Sequence, residues 1–367
     1  MAIGEEGILF DGTRELETSV DEGRAGGEPE LPSRPPAREP TPVTEDAGRR
    51  PRPPLLVGDV GGTNVRLAVA DGDVLSHRRS FTGPRDAAAL EAAVHDYLDG
   101  LGPAERPGAG VLAVAGPVVG DTIRLTNRDW EFSVARLGRR LGVGLRVVND
   151  LAAVAAGAVT SDRREQIKPG TPAEGAPRAF LGVGTGLGVS LAVRCGGRWH
   201  VVPTEGGHRD LAAGDPDEWR LIEALARRHG HVSVELVLSG PGLVVLYQAL
   251  GETEDLPAPA AEPQEIDELA RAGDPLARCT FRRFSAWLGA VAGDLVLTAG
   301  ARGGLDLAGG VLPRLGDLFD REEFTRRFCA KGRFRDYLEA VPVGLVTRSE
   351  TALLGCRELA AGTVTSG

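Results

Sequence analysis

The chain has 367 residues, 42% hydrophobic and 26% charged, enough apolar material for two packed domains or one large one. Its formal net charge of −10 disfavours a nucleic-acid groove. Lys168 and Lys331 are the only lysines, so no Gly-Lys-Ser/Thr phosphate loop exists. Cys195, Cys279, Cys329 and Cys356 are scattered singly, which argues against a structural zinc and fits a reducing compartment. No apolar run is long enough to span a bilayer and no secretory pattern opens the chain. A cytoplasmic enzyme, with neither nucleic acid nor membrane as partner, is the expectation.

Residues 1–53 are rich in Glu, Arg, Pro and Gly and nearly free of large apolar side chains. Such a composition cannot offset the entropy of ordering it, so a disordered N-terminal tail is expected, with Ile8, Leu9 and Phe10 as its one apolar patch. From Leu55 the character changes. Leu55-Leu56-Val57, then Gly58-Asp59-Val60-Gly61-Gly62-Thr63-Asn64, then Val65-Arg66-Leu67-Ala68-Val69 reads as strand, tight turn, strand. Gly61 and Gly62 permit positive φ and leave their amides bare, and consecutive bare amides form a concave nest for an anion. Asp59 ends the first strand, where a hydrated Mg²⁺ could sit; Thr63 and Asn64 add donors for phosphate oxygens. The plainer alternative is an ordinary glycine-rich hairpin.

A third strand is expected at Val74–Phe81, a helix at Ala87–Leu101, a buried strand at Gly110–Ala115 and a short return strand at Asp121–Leu125. Ser133–Leu141 reads as a helix with Ser133 as its N-cap. Leu145–Val148 is a buried strand that ends in Asn149-Asp150 and runs into the apolar helix Leu151–Val159. Residues 160–178 carry Pro169, Pro172 and Pro177 and read as a loop or domain joint. Phe180–Val183, the loop Gly184-Thr185-Gly186-Leu187-Gly188 and Val189–Val193 then echo the opening hairpin. That repeat suggests a duplicated α/β domain with mixed sheets, the two glycine loops facing each other across one polyphosphate. A dinucleotide fingerprint fits poorly, because the spacing is Gly-x-Gly-x-Gly-x-Gly and a strand pattern follows it.

Helices are expected at Asp215–Arg228, from Ser239 through Leu250, and over Gln264–Leu297, with a Pro- and acid-rich surface loop at 251–263. Leu305–Ala308 is a strand ending at Gly309-Gly310, followed by a helix. Strand Val341–Val346 and a helix from Glu350 to about Ala361 close the chain.

Asn149, Asp150, Glu205, His208 and Glu235 offer the paired acceptors and donors that a hydroxyl-rich ligand such as a sugar requires. Asp150 follows a strand's C-terminal end, which points into the crevice where open α/β sheets bind ligands. Each has a plainer reading too: Asp150 as the cap of the helix from Leu151, Glu205 as a turn carboxylate, His208 as a surface histidine, Glu235 as a solvated helix residue.

Taken together, Leu56–Leu67, Thr126-Asn127, Val148-Asn149-Asp150, Gly184–Gly188, Glu205-Gly206-Gly207-His208, His231–Glu235, Leu238–Gly242 and Ala308-Gly309-Gly310 resemble the bacterial glucokinase family of the hexokinase, Hsp70 and actin-like ATPase superfamily. The resemblance implies two ribonuclease H-like domains around a central cleft: a small one, 54–160, completed by the C-terminal helix 347–367, and a large one, 161–346. It implies ATP-dependent phosphorylation of D-glucose at the 6-hydroxyl with Mg²⁺, and commonly a homodimer. By motif, Asp150 corresponds to the catalytic base, and Asn149, Glu205, His208 and Glu235 to glucose ligands. Gly61, Gly62, Thr63, Gly184, Thr185 and Gly186 match the phosphate loops, with Asp59 and Asn64 in the first of them, and Gly309 and Gly310 the adenosine side. Another hexose (mannose or glucosamine), a sugar-independent actin-like ATPase and a sugar-sensing regulator are the alternatives. The tail is not part of the family pattern. Deleting residues 1–53 should leave kcat/KM within a few-fold of the full chain; a larger loss would put Ile8, Leu9 and Phe10 in contact with the enzyme.

Overall fold

The computed structural model describes residues 53–61, 64–72, 74–125, 130–161 and 163–366; the N-terminal tail with Ile8, Leu9 and Phe10 lies outside them. The chain opens as a meander of β1 (Leu55–Val60), β2 (Asn64–Asp71) and β3 (Val74–Thr82). β1 is buried almost throughout, as expected of a strand covered on both faces, whereas β3 carries Ser76-His77-Arg78-Arg79-Ser80 on the sheet edge, where charge discourages further pairing. Next come α1 (Ala87–Asp99) and β4 (Ala109–Val114), then β5 (Thr122–Arg124) and β6 (Glu131–Ser133). β5 does not return along β4 as expected; it pairs with β6 in a separate two-stranded ribbon. α2 (Val134–Leu141) follows, with the Ser133 hydroxyl accepting from Arg136 N–H at 3.1 Å. β7 (Gly144–Asn149) then leads directly into α3 (Asp150–Val159). The first sheet has the order β3-β2-β1-β4-β7, with β1, β4 and β7 parallel and the meander antiparallel.

The second half starts with β8 (Arg164–Lys168), a strand inside the stretch read as a loop, then β9 (Arg178–Val183), β10 (Leu187–Cys195) and β11 (Arg198–Thr204). Helices α4 (Pro216–His229), α5 (Val234–Val237), α6 (Gly240–Thr253), α7 (Pro263–Ala272) and α8 (Pro275–Ala299) precede β12 (Leu305–Ala308). α9 (Val311–Leu315), α10 (Arg321–Cys329), α11 (Arg335–Glu339), β13 (Val343–Val346), α12 (Thr351–Ala361) and β14 (Val364–Ser366) complete the fold. The second sheet runs β14-β11-β10-β9-β12-β13-β8. Its central five strands, an antiparallel meander followed by two parallel strands, repeat the pattern of the first sheet. The echo between the two glycine loops is thus an echo of whole sheets. β8 escapes a sequence reading because Arg164-Glu165-Gln166-Ile167-Lys168 is polar and followed at once by Pro169; pairing with β13 makes it a strand.

Between the sheets lies a helical layer of α3 and α12. Its core joins Val57, Ala68, Val111 and Val148 of the first sheet to Phe180, Ala192 and Val201 of the second, through Leu151, Ala152, Ala155 and Ala156 of α3 and Leu353, Cys356 and Leu359 of α12. Alanine suits this layer twice: it is the strongest helix former, and its short side chain lets a helix fit between two sheets. The outer faces of the sheets are covered by α1 and α2 on the first and by the α4 to α10 group on the second. Among the described residues no helix is long and apolar enough to cross a membrane.

Candidate active site

A cleft of about 490 Å³ opens where β1, β7 and α3 meet the glycine loop between β9 and β10. Its walls include Asp59, Asn149, Asp150, Gly184, Thr185, Gly186, Glu205, His208, Glu235, Gly309 and Gly310, residues spread over 250 positions of sequence. A larger groove of about 840 Å³, beside α7, α8 and the turn before α10, contains none of the residues singled out above.

Among its described residues the first hairpin contributes Asp59 and Arg66 to the cleft. Gly61 closes the turn through its N–H to Asn64 O at 2.9 Å. It lies outside the left-handed region, so the turn does not use the positive φ that glycine permits there. Gly61 and Asn64 do not line the cleft. Gly62, Thr63, Thr126 and Asn127 lie outside the described residues.

Asp150 is the first residue of α3, and the cap is its neighbour. Asn149 Oδ1 accepts from Ala152 N–H at 3.0 Å, while Asn149 Nδ2 donates to Gly116 O at 3.2 Å. The plainer reading of Asp150 as the N-cap therefore falls: Asn and Asp cap about equally well, and here Asn149 takes the position. Asp150 Oδ1 accepts from the Leu151 N–H at 2.7 Å. Burial raises the Asp150 carboxyl to about 7; the neighbouring Asp59 charge adds to this, and the amides of Leu151 and Asp150 oppose it. Asp59 is also raised by burial, with Arg66 pulling it back down. Two adjacent carboxylates that resist ionising together form a site for a proton acceptor poised near neutrality.

The four glycines in and around the β9–β10 turn divide into two pairs. Gly182 and Gly188 face each other in register, and a Cβ on either would meet the Leu151 side chain at 2.7 or 3.0 Å. They seat the first turn of α3 and so fix Asp150. Gly184 and Gly186 make the turn, through Gly184 N–H to Gly186 O at 2.9 Å, and Gly184 O accepts from Gly240 N–H at 2.8 Å. Gly309 has φ +94° and a Cβ there would stand 2.1 Å from Val183 O, so the chain crosses the end of β9 with no room for a side chain.

Glu235 is not a solvated helix residue. Its Oε2 accepts from Leu187 N–H at 2.7 Å, which ties α5 to the glycine loop, and its Oε1 lies 3.9 Å from His208 Nδ1. The other side of that ring, Nε2, is 3.8 Å from Glu205 Oε2. Glu205 and His208 bracket a short 3₁₀ turn at Gly206–His208, where a Cβ on Gly207 would collide with Leu187 O at 2.0 Å. The three side chains form one row of acceptors and donors in the cleft that Asp150 also lines.

The model of the glucokinase family matches residues 56–363. The chain belongs to the glucokinase family. It is 43% identical to a glucokinase of Aromatoleum aromaticum over 308 residues, covering 82% of this chain and 93% of that protein. It is 42% identical to a glucokinase of Nitrobacter hamburgensis, covering 83% and 96%. Among solved structures, a glucokinase from an Antarctic psychrotroph is 35% identical with a TM-score of 0.74, covering 85% of this chain and 99% of that one. A ROK family glucokinase from Streptomyces griseus, solved with glucose and AMPPNP, shares the fold at 22% identity and a TM-score of 0.60, covering 84% and 99%. The 53 N-terminal residues fall outside the family match.

Proposed function

We propose that the protein is a glucokinase: it transfers the γ-phosphoryl group of ATP to the 6-hydroxyl of D-glucose, with Asp150 as general base. The observation that carries this reading is the convergence of Asp150, held near neutrality at the start of α3, with Glu205, His208, Glu235 and the glycine loop between β9 and β10 in one cleft. The names of the relatives favour glucose over another hexose. The Asp150 carboxylate takes the proton of the sugar's 6-hydroxyl as that oxygen attacks phosphorus. Asn149, Glu205, His208 and Glu235 orient the sugar, and the amides at Gly184–Gly186 and Gly309–Gly310 hold the nucleotide. Catalysis is then mainly positioning and charge stabilisation.

Among the described residues no three acidic, histidine or cysteine side chains gather to cage a metal. That fits Mg²⁺, which keeps several waters and takes one or two carboxylates plus substrate phosphates. Asp59, with Asp150 beside it, would hold the ion through water. When bound, the ion neutralises phosphate charge.

The small domain, 54–160 with 347–367, and the large one, 161–346, are read as closing over the sugar to exclude water; the docking of α12 on α3, β1 and β4 supports assigning the C-terminal helix to the small domain. A cytoplasmic homodimer completes the reading. The test is a coupled assay of ADP release over a panel of sugars and phosphoryl donors. Glucose-dependent turnover with ATP supports it; ATP turnover without sugar overturns it. Within the site, Glu205→Ala should raise the KM for glucose at least tenfold and leave that for ATP within threefold. The opposite pattern would remove Glu205 from the sugar wall.

A further inference from the structure

The larger groove, about 840 Å³, takes no part in the site described above and shares no residue with it. Its size is that of pockets that hold small ligands. The buried rings of Phe281 and Phe319 line it, together with four exposed arginines: Arg271, Arg278, Arg282 and Arg321.

What these arginines already hold decides what the groove can bind. Arg271 is committed: it donates to both oxygens of Asp267 at 2.9 and 3.0 Å, to Asp317 Oδ1 at 3.0 Å and to Leu315 O at 3.3 Å. Arg278 uses only Nε, which donates to Ala270 O at 3.0 Å. Arg321 uses only Nη2, paired with Glu165. Arg282 makes no hydrogen bond or ion pair among the described residues. It feels the charge of Glu323, but Arg326 already holds both oxygens of that carboxylate at 2.7 Å. The acids lining the groove do not absorb the open donors. Asp317 is held by Arg271, Asp320 accepts from the Glu323 N–H at 2.9 Å as the cap of α10, and Glu322 alone is left.

Arg278 and Arg282 stand four positions apart on α8, hence on one face and about 6 Å apart along its axis. Like charges so placed repel each other unless an anion lies between them. Arg321 is the first residue of α10 and lines the same groove. A planar guanidinium presents paired N–H donors that match phosphate oxygens. Three such groups with open donors, on two different helices, suit two phosphate groups better than one. A skeleton joining those groups can lie against the half-buried Leu318.

We propose that the groove lined by α8 and the start of α10 is a binding site for a small bisphosphate, with Arg278 and Arg282 on one phosphate group and Arg321 on the other. The site is independent of the kinase reading. The bland alternative is that these arginines are solvated surface side chains.

The experiment is calorimetric titration of the full-length protein, at low ionic strength and without Mg²⁺, with inorganic phosphate, pyrophosphate and a hexose 1,6-bisphosphate. At least one of the two probes with paired phosphates should bind with a Kd on the order of 0.1 mM, roughly tenfold or more tighter than inorganic phosphate, and should raise the Tm. Whichever of them binds more tightly identifies the source as inorganic or organic. Arg282→Ala should weaken that binding roughly tenfold or more, while its kcat/KM for glucose stays within twofold of wild type, because Arg282 does not border the cleft. Arg282→Lys, which keeps the charge and loses the fork, should fall between. Arg321→Ala should bring the paired-phosphate probe down to the affinity of inorganic phosphate, so the test does not hang on α8 alone. Arg124→Ala removes an exposed charge from β5, outside the groove, and should bind as wild type does. Paired phosphates that bind no more tightly than inorganic phosphate overturn the proposal. So does binding unchanged in Arg282→Ala and Arg321→Ala, which would put the probe elsewhere, or equal weakening by Arg124→Ala, which would make the attraction one of overall charge.

Discussion

Replacing Asp150 with Asn is expected to lower kcat by roughly 10²- to 10⁴-fold and, at pH 8, to make the protein more stable. Both effects come from the same carboxylate. The variant keeps the side chain's shape and its acceptor for the Leu151 N–H, and the cap of α3 is untouched because Asn149 supplies it. What goes is the proton acceptor. Glucose affinity should stay within a few-fold, since the lost interaction belongs to the transition state. Activity of the wild type should follow the ionised form: kcat/KM for glucose should rise with pH through about 7 and level off above it.

The stability effect has a definite sign. The folded carboxyl sits at about 7 against an ordinary 3.8, so ionisation is disfavoured in the folded state. Stability associated with this group is fully present below pH 3.8 and is lost as pH rises through 7. The full shift would correspond to roughly 4 kcal/mol. Partial solvent contact and the favourable position of a negative charge in the first turn of α3 reduce the expected gain for the variant to about 1–3 kcal/mol. Its Tm should exceed that of the wild type by a few degrees at pH 8, and the gap should shrink towards pH 4. A variant that turns over within a few-fold of wild type would remove Asp150 from catalysis. One that is inactive but destabilised at pH 8 would mean that the carboxylate also holds the fold.

Much of this architecture is legible in the chain. Alternating strands and helices from Leu55, the duplicated glycine hairpins and the Ser133 cap all follow from local pattern, because each depends on residues within one turn or one strand. The acidic and histidine residues of the cleft stand out because they interrupt apolar or glycine-rich runs. What escapes the sequence depends on partners far away. β8 becomes a strand only beside β13, and β14 only beside β11. Asn149 and Asp150 compete for one cap, and no propensity chooses between them. Gly182 and Gly188 look like two members of one glycine-rich run, yet a Cβ on either would displace Leu151 of α3. Glu235 reads as a surface residue until the amide of Leu187, 48 positions earlier, is found on its carboxylate. Arg66 passes unnoticed in a strand, because its place beside Asp59 shows only once the ladder is formed.

The second large effect is expected at Gly355, far from the cleft. On α12 its Cα faces α3 so closely that an added Cβ would stand 1.7 Å from Ala153 O. The contact is reciprocal: a Cβ on Gly157 of α3 would stand 2.2 Å from Thr351 O. The two helices touch backbone to backbone between the two sheets. By propensity alone, Gly355→Ala should stabilise α12 by about 1 kcal/mol. Sterics decide the other way, because the obstructing atoms are backbone, which no rotamer change can clear, and the layer is packed from both sides. A net loss of about 3 kcal/mol or more is expected, seen as a Tm lower by at least ~5 °C. Well below that Tm, kcat should also fall, since pushing α12 outward lets α3 shift and Asp150 moves with its first turn; a misplacement of about 1 Å at a reacting group can cost 10²-fold. Gly108→Ala is the control. It occupies an exposed position where an added Cβ meets nothing within 4 Å, and it should match the wild type in both measurements. If Gly355→Ala melts within 2 °C of wild type, the helices part more cheaply than their packing implies, and α12 is not what fixes α3. If it melts early but keeps full kcat at low temperature, α12 stabilises the fold without positioning the base.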